Sequence, residues 1–85
     1  MHIAGVVVRT RPEHARQVQS GLLAIAGVEV HAVTPEGRLV VTVESDDSGS
    51  AAGRFNELQQ LPQVLSAALV YEQSEAESAT GEEGQ

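Results

Sequence analysis

The segment 28–44, VEVHAVTPEGRLVVTVE, constrains the fold of this chain more than any other stretch. Apolar and polar residues alternate on both sides of the sequence TPEG, in which proline presets one backbone angle and glycine accepts a positive one. Period-two alternation on both sides of such a turn is typical of a β-hairpin. The pattern predicts a buried set of side chains beneath helices: Val28, Val30, Ala32, Leu39, Val41 and Val43. It also predicts an outward set: Glu29, His31, Val33, Val40, Thr42 and Glu44.

The segments before and after the hairpin each combine a strand with a helix. Residues 2–9 predict a first strand, and Thr10 with Glu13 fits a capping box for the helix that follows. That helix carries an apolar stripe made of Ala15, Val18, Leu22 and Ile25. Gly27 is suited to end it in a left-handed turn. A second stripe, made of Ala51, Phe55, Leu58 and Leu61, precedes Pro62 and a last strand over residues 64–72.

The resulting order β-α-β-β-α-β predicts the ferredoxin-like split βαβ fold of the α+β class. Its four-stranded antiparallel sheet would have the order 4-1-3-2, with both helices on one face. A chain of 85 residues forms one domain, which we expect over residues 1–73. Residues 74–85 hold four glutamates, no basic residue and no apolar periodicity, so we expect a disordered acidic tail there.

The charge distribution limits the classes of partner. The net charge is −7, of which the expected tail supplies −4, and the chain has only five basic residues. Nucleic acid is not an expected partner, because phosphate contacts need clustered lysines and arginines. A basic peptide would complement the charge better. No apolar run is long enough to span a bilayer and no leader pattern follows Met1, so we expect a cytoplasmic protein without membrane insertion.

The sheet face away from the helices is the most informative surface. On the first strand we expect Ala4, Val6 and Val8 inside, although a slip of one residue would reverse this assignment. On the last strand we expect Ala67, Leu69 and Tyr71 inside. The outward residues then form a candidate peptide-binding face: Ile3, Gly5, Val7, His31, Val33, Val40, Thr42, Ala68 and Val70. An acidic rim suited to arginines is expected at one end of this face, formed by Glu29, Glu44 and Glu72. Such an apolar face usually marks a partner surface.

No residue pattern indicates catalysis or a cofactor. The chain has no cysteine, and the three histidines, His2, His14 and His31, lack metal-ligand spacing and are expected to be solvated or capping. Carboxylates at the sheet end would suit a hard cation, but solvated strand ends are more common. We therefore expect a protein that is not an enzyme and that holds neither a metal nor a cofactor.

The chain resembles the NapD family, the small cytoplasmic chaperones of periplasmic nitrate reductase. The resemblance is carried in order by HI with VVV and RPE, by GVEVH, by GRLVVTVE and by VLSAALVY, which together cover most of residues 2–71. It implies a ferredoxin-like fold. It also implies binding of the twin-arginine signal peptide of the nitrate reductase catalytic subunit, which delays export until the molybdenum cofactor is inserted.

A different class of function explains the same apolar face. A small regulatory or homodimerisation module would bury it against a second copy of the chain. The expected acidic rim favours the peptide chaperone, because like charges would meet in a self-paired face. We expect a monomer or a weak dimer, and a mass measurement by light scattering separates the two hypotheses.

Overall fold

The computed structural model describes residues 1–74 and confirms the predicted order of elements. The strands are β1 (His2–Arg9), β2 (Val28–Val33), β3 (Arg38–Ser45) and β4 (Ser66–Ser74), and the helices are α1 (Ala15–Leu23) and α2 (Ser48–Gln59). One turn of 3₁₀ helix, Pro12–His14, leads into α1. The expected acidic tail lies outside the described residues, apart from Ser74, which is part of β4.

The strands form one antiparallel sheet in the order β2-β3-β1-β4, which is the predicted order read from the other edge. This is the ferredoxin-like α+β fold. The core lies between the sheet and the helices, because the inward residues of the two central strands meet the apolar stripes of α1 and α2. Its fully buried side chains are Val6, Val8, Val18, Leu22, Leu39, Val41, Val43 and Leu58.

The two central strands have the predicted faces. In β1, Ala4, Val6 and Val8 are buried, whereas Arg9 is exposed. In β3, Leu39 and its inward neighbours are buried, and Val40 is 41 % exposed on the other face. The two strands pair without interruption from His2 opposite Ser45 to Arg9 opposite Arg38. A regular register carries the alternation of the sequence directly into two faces.

Bulges on both edge strands reverse parts of the prediction. The register of β2 shifts between Val30 and Ala32, so Ala32 pairs with Val40 and Val33 with Leu39. An extra residue in one strand moves every later side chain to the opposite face. The predictions that Ala32 points to the helices and that Val33 points away from them are therefore wrong. Ala32 lies on the face away from the helices and Val33 on the helix side.

The register of β4 shifts in the same way. Gly5 pairs with Tyr71 but the next residue, Val6, pairs with Leu69, which leaves Val70 without a partner. Tyr71 therefore lies on the same face as Gly5, away from the helices. Glu72 pairs with the inward residue Ala4 and lies on the helix side. The predicted inward position of Tyr71 and the outward position of Glu72 are both wrong.

The predicted capping box before α1 is also absent. Thr10 is buried and its hydroxyl donates a hydrogen bond of 2.6 Å to the carbonyl oxygen of Gln63, which has a positive φ of 72°. A tertiary contact therefore takes the place of the expected cap. Gly27 has the expected positive φ, 81°, but α1 ends earlier, at Leu23. A side chain at Gly27 would overlap the carbonyl oxygen of Glu44.

The opposite faces of β3 lead to a stability prediction. Val41→Asp places a charge in the core and should destabilise the protein by roughly 4 kcal/mol or more. Val40→Asp is the matched control one residue away and should change stability by about 1 kcal/mol or less. Urea denaturation measures both values, and equal losses would contradict the assignment of the two faces.

The cap of α2 leads to a pH prediction. The side chain of Asp47 accepts a hydrogen bond of 2.8 Å from the backbone N–H of Ser50. This bond lowers the pKa of Asp47, so its contribution to stability is present at neutral pH and is lost as the pH falls through the lowered pKa. Asp47→Asn should therefore lower the melting temperature at pH 7, with a difference from wild type that shrinks in acid. Glu57→Gln, an exposed change without a cap, should show no such convergence.

Candidate functional site

Four rows of side chains cross the open face, which is the sheet face away from the helices. The strand registers define the rows, because directly opposed residues of antiparallel strands point to the same side. In order along β1, the first row is Glu44, Ile3 and Gln73, and the second row is Glu29, Thr42, Gly5 and Tyr71. The third row is Ala32, Val40, Val7 and Ala68, and the fourth row is Arg38, Arg9 and Ser66. The face therefore changes character from one end to the other.

The third row, called here the apolar row, is apolar on all four strands. It consists of Ala32, Val40, Val7 and Ala68. Val40 is 41 % exposed, Val7 is half-buried, and the two alanines are exposed. Covering a continuous apolar band on an exposed sheet face removes apolar surface from water and therefore stabilises a complex with a partner.

Tyr71 and Gly5 give the second row a specific shape. The Tyr71 ring lies over Gly5, so a side chain at Gly5 would overlap the ring, and Gly5 is buried although it faces outward.

On the other side of the row, His31 Nε2 and Thr42 Oγ1 share a hydrogen bond of 2.8 Å. His31 is the bulged residue of β2 and remains on the open face, as predicted.

Two carboxylates of the open face and one loop residue define its acidic end. Glu44 lies in the first row and Glu29 in the second, with Glu29 Oε1 at 3.8 Å from His31 Nε2. A cleft of about 270 Å³ opens beside Glu44 and is also lined by Asp46 and Arg54. Asp46, in the loop after β3, is thus a third carboxylate beside this end of the sheet, a position that the alternation of the sequence did not assign.

Glu72, which was predicted as part of the acidic rim, belongs to the other side of the sheet. Its Oε1 lies 3.0 Å from Nε2 of His2, a contact without hydrogen-bond geometry. His2 is only 4 % exposed, so the expectation of a solvated or capping histidine is wrong for this residue. Glu72 also lines a cleft of about 170 Å³ with Phe55 and Leu69 on the helix side.

The basic end of the open face is formed by Arg9 and Arg38. The two residues lie directly opposite each other in the fourth row, and both are exposed. Arg9 was expected to point outward, but its position opposite a second arginine follows only from the exact hairpin register. The open face therefore carries negative charge at one end and positive charge at the other.

The structure brings most of the predicted site residues onto one surface. Those on the open face are Ile3, Gly5, Val7, His31, Val40, Thr42, Ala68, Glu29 and Glu44. Val33 and Glu72 are on the helix side, and Val70 is an exposed bulge residue without a register partner. Sequence reasoning missed Ala32, Tyr71 and Asp46, and no local pattern marks them.

The side chains of residues 1–74 provide no cluster of three histidine, aspartate or glutamate residues that could hold a metal ion. Neither α1 nor α2 has the length and apolar character that a membrane crossing requires. Their short lengths fit their role as a cover for one face of the sheet.

Comparison with known proteins identifies the family. The family model described as NapD protein matches residues 1–76. Chaperone NapD of Escherichia coli (strain K12) is 34 % identical over 75 residues, which cover 86 % of this chain and 85 % of that protein. The chain belongs to the NapD family.

One solved structure agrees with this membership in the NapD family, and a second shares the fold. The solution structure of the E. coli Tat proofreading chaperone protein NapD matches with a TM-score of 0.79 at 31 % identity, over 86 % of this chain and 78 % of that one. A hypothetical protein, PHS023 from Pyrococcus horikoshii, matches with a TM-score of 0.74 at 24 % identity, over 87 % of this chain and 90 % of that one, and shows the fold alone. The relatives named NapD are called chaperones, which describes a non-enzymatic role.

The contact between Gly5 and Tyr71 predicts that one substitution has opposite effects on stability in the presence and absence of the Tyr71 ring. Gly5→Ala should destabilise the protein by roughly 1–3 kcal/mol, because the new methyl group displaces the Tyr71 ring. In a Tyr71→Ala background the same substitution should stabilise it by about 0.5 kcal/mol, because alanine restricts the unfolded strand more than glycine does. Urea denaturation of wild type, the two single variants and the double variant measures both effects. A destabilisation of equal size in both backgrounds would contradict the contact.

Proposed function

We propose that this protein binds the twin-arginine signal peptide of the catalytic subunit of periplasmic nitrate reductase. Binding takes place in the cytoplasm and delays export until the molybdenum cofactor is inserted. Membership in the NapD family supports this proposal, and so does the description of the E. coli relative as a Tat proofreading chaperone. The open face is the peptide site.

The observation that carries the proposal is the apolar row next to an acidic end. A twin-arginine signal peptide joins a pair of arginines to an apolar segment, so it needs two different surfaces side by side. The apolar row covers the apolar segment, and burial contributes about 25 cal/mol per Å² of apolar surface removed from water. Glu29 lies one row and Glu44 two rows from it, Asp46 lies in the loop beyond Glu44, and these carboxylates accept the guanidinium groups.

The carboxylates of the acidic end contribute unequally to the binding free energy. An exposed ion pair contributes only about 0–1 kcal/mol, because water and salt screen it. A bidentate contact between arginine and carboxylate that is partly shielded by the peptide contributes more, roughly 1.5–3 kcal/mol. Glu44 is better placed for such a contact than Glu29, because it belongs to a central strand and Glu29 to an edge strand. The cleft beside Glu44 holds Asp46 and also Arg54, whose guanidinium donates a hydrogen bond to the carbonyl oxygen of Ala26. Glu29 already lies near His31.

The acidic end leads to a binding prediction. Glu44→Gln should weaken binding of a synthetic twin-arginine signal peptide about three- to tenfold, and Glu29→Gln should weaken it less. Glu57→Gln, on the exposed side of α2, is the matched control and should leave the affinity unchanged. Isothermal titration at low salt measures all four proteins, and added salt should weaken the wild-type complex more than the Glu44→Gln complex.

An NMR titration with the same peptide distinguishes the parts of the proposal. Chemical-shift changes of backbone amides should concentrate on the open face and leave α1 and α2 nearly unaffected. Equal affinities of wild type and a variant with all three carboxylates replaced by amides would mean that the arginines bind elsewhere. Shifts concentrated around Phe55 and Leu69 would move the site to the cleft on the helix side.

A homodimer through the open face is the second candidate. Like charges need not meet in such a dimer, contrary to the expectation from the sequence, because Arg9 and Arg38 lie at the end opposite Glu29 and Glu44. A two-fold axis across the strands would place the acidic end of one copy against the basic end of the other. Light scattering at micromolar concentration tests this candidate: a stable dimer that Arg38→Glu dissociates would support it over a free peptide site.

A further inference from the structure

The two charged ends of the open face are held at a fixed separation. Arg38 and Glu44 lie six residues apart on the same face of β3. At about 3.3 Å per residue, the basic end and the acidic end are therefore separated by roughly 20 Å. The apolar row lies between them, one row away from the arginines. A segment bound along the strands and anchored at the acidic end therefore extends toward Arg9 and Arg38.

The arginine pair is locally unfavourable. Arg9 and Arg38 are directly opposed in adjacent strands, and like charges in this position destabilise a sheet. Within residues 1–74, no carboxylate lies within ion-pair distance of either guanidinium, and the two close pairs of oppositely ionisable side chains each join a histidine to a glutamate. Glu36 in the hairpin turn interacts only weakly with Arg38. The pKa of Glu36 is lowered mainly by a hydrogen bond with Thr34 and then by one with its own backbone, and the charge of Arg38 lowers it least. Local conflicts of this kind are expected at functional sites.

We propose that Arg9 and Arg38 determine the charge specificity of the peptide site. They exclude cationic residues from the second end of a bound apolar segment, so the open face selects segments that are positive at one end only. The inference deepens the proposed function and rests on it, because it assumes that the peptide binds on this face.

Repulsion is an effective way to obtain this specificity. Arginine stays protonated at every physiological pH, so the two positive charges are permanent. A cation held beside them at the edge of an apolar surface is partly removed from water, and juxtaposed like charges then reduce affinity. A binding site distinguishes partners by such unfavourable contacts as well as by favourable ones. The carboxylates and arginines together therefore fix which end of the peptide lies at which end of the sheet.

Two synthetic peptides test the inference with the full-length protein. Both begin with an arginine pair followed by the same apolar segment; one ends in two glutamines and the other in two further arginines. Wild type should bind the peptide with arginines at one end about tenfold more tightly than the peptide with arginines at both ends. The ratio should decrease with added salt.

The decisive variant is Arg9→Gln with Arg38→Gln, which lowers the net charge by two units. In this variant the ratio of the two affinities should fall close to one. Arg16→Glu, on the exposed side of α1, changes the net charge by the same amount away from the open face and should keep the tenfold ratio. In the absence of peptide, melting temperatures no lower than that of wild type, and amide spectra that differ from wild type only near the substitutions, show that both variants are folded; removing the opposed arginines should raise the melting temperature slightly.

The outcomes separate this inference from the proposed function. A nitroxide attached to the arginine end of the first peptide should broaden the amide signals of Ile3 and Glu44 and leave those of Val8 and Leu39 sharp. If both peptides shift the open face and bind equally well to wild type, the inference is overturned and the proposed function stands. A ratio that persists in the double glutamine variant also overturns it. If neither peptide shifts the open face, the proposed function fails and the inference with it.

Discussion

The pairing of β1 with both of its neighbours is the interaction on which the rest of the structure depends. β1 is central in the sheet, its inward residues Val6 and Val8 are completely buried, and its register with β3 is regular along its whole length. Each row of the open face passes through one residue of β1. The position of a residue along this strand therefore determines both its depth in the core and the row in which its partners lie.

The edge strands adapt to this central pair through bulges, and the bulges change the candidate site. The shift in β4 replaces an expected carboxylate, Glu72, by the Tyr71 ring, and the shift in β2 replaces Val33 by Ala32. One extra residue is enough for each exchange, because side chains alternate between faces with a period of two. The open face therefore keeps its apolar row, while its acidic end depends on Glu29, Glu44 and the loop residue Asp46.

The sequence predicts the fold and the faces of the central strands because their alternation is strong. In β3, valine and leucine at inward positions contrast with threonine and glutamate outward, so burial permits only one register. In β4 the run AALVY is apolar at every position, so both faces are equally compatible with it and pairing with β1 decides. Thr10 is a similar case: its hydroxyl fits a local capping box, but the buried carbonyl oxygen of Gln63 competes for the same donor.

The division between central and edge strands also separates affinity from selectivity on the open face. Glu44 and Arg38 belong to one central strand, which is paired on both sides, so their separation cannot change without disrupting the core. In the proposed complex, each exposed charge alone contributes about 1 kcal/mol or less, and affinity depends mainly on covering the apolar row. The charges act on the arrangement of the partner instead, because reversing it brings a pair of arginines from Glu29 and Glu44 to Arg9 and Arg38. A rigid central strand with opposite charges at its two ends can therefore determine the direction in which an apolar segment is held, even when the edge strands adjust to its side chains.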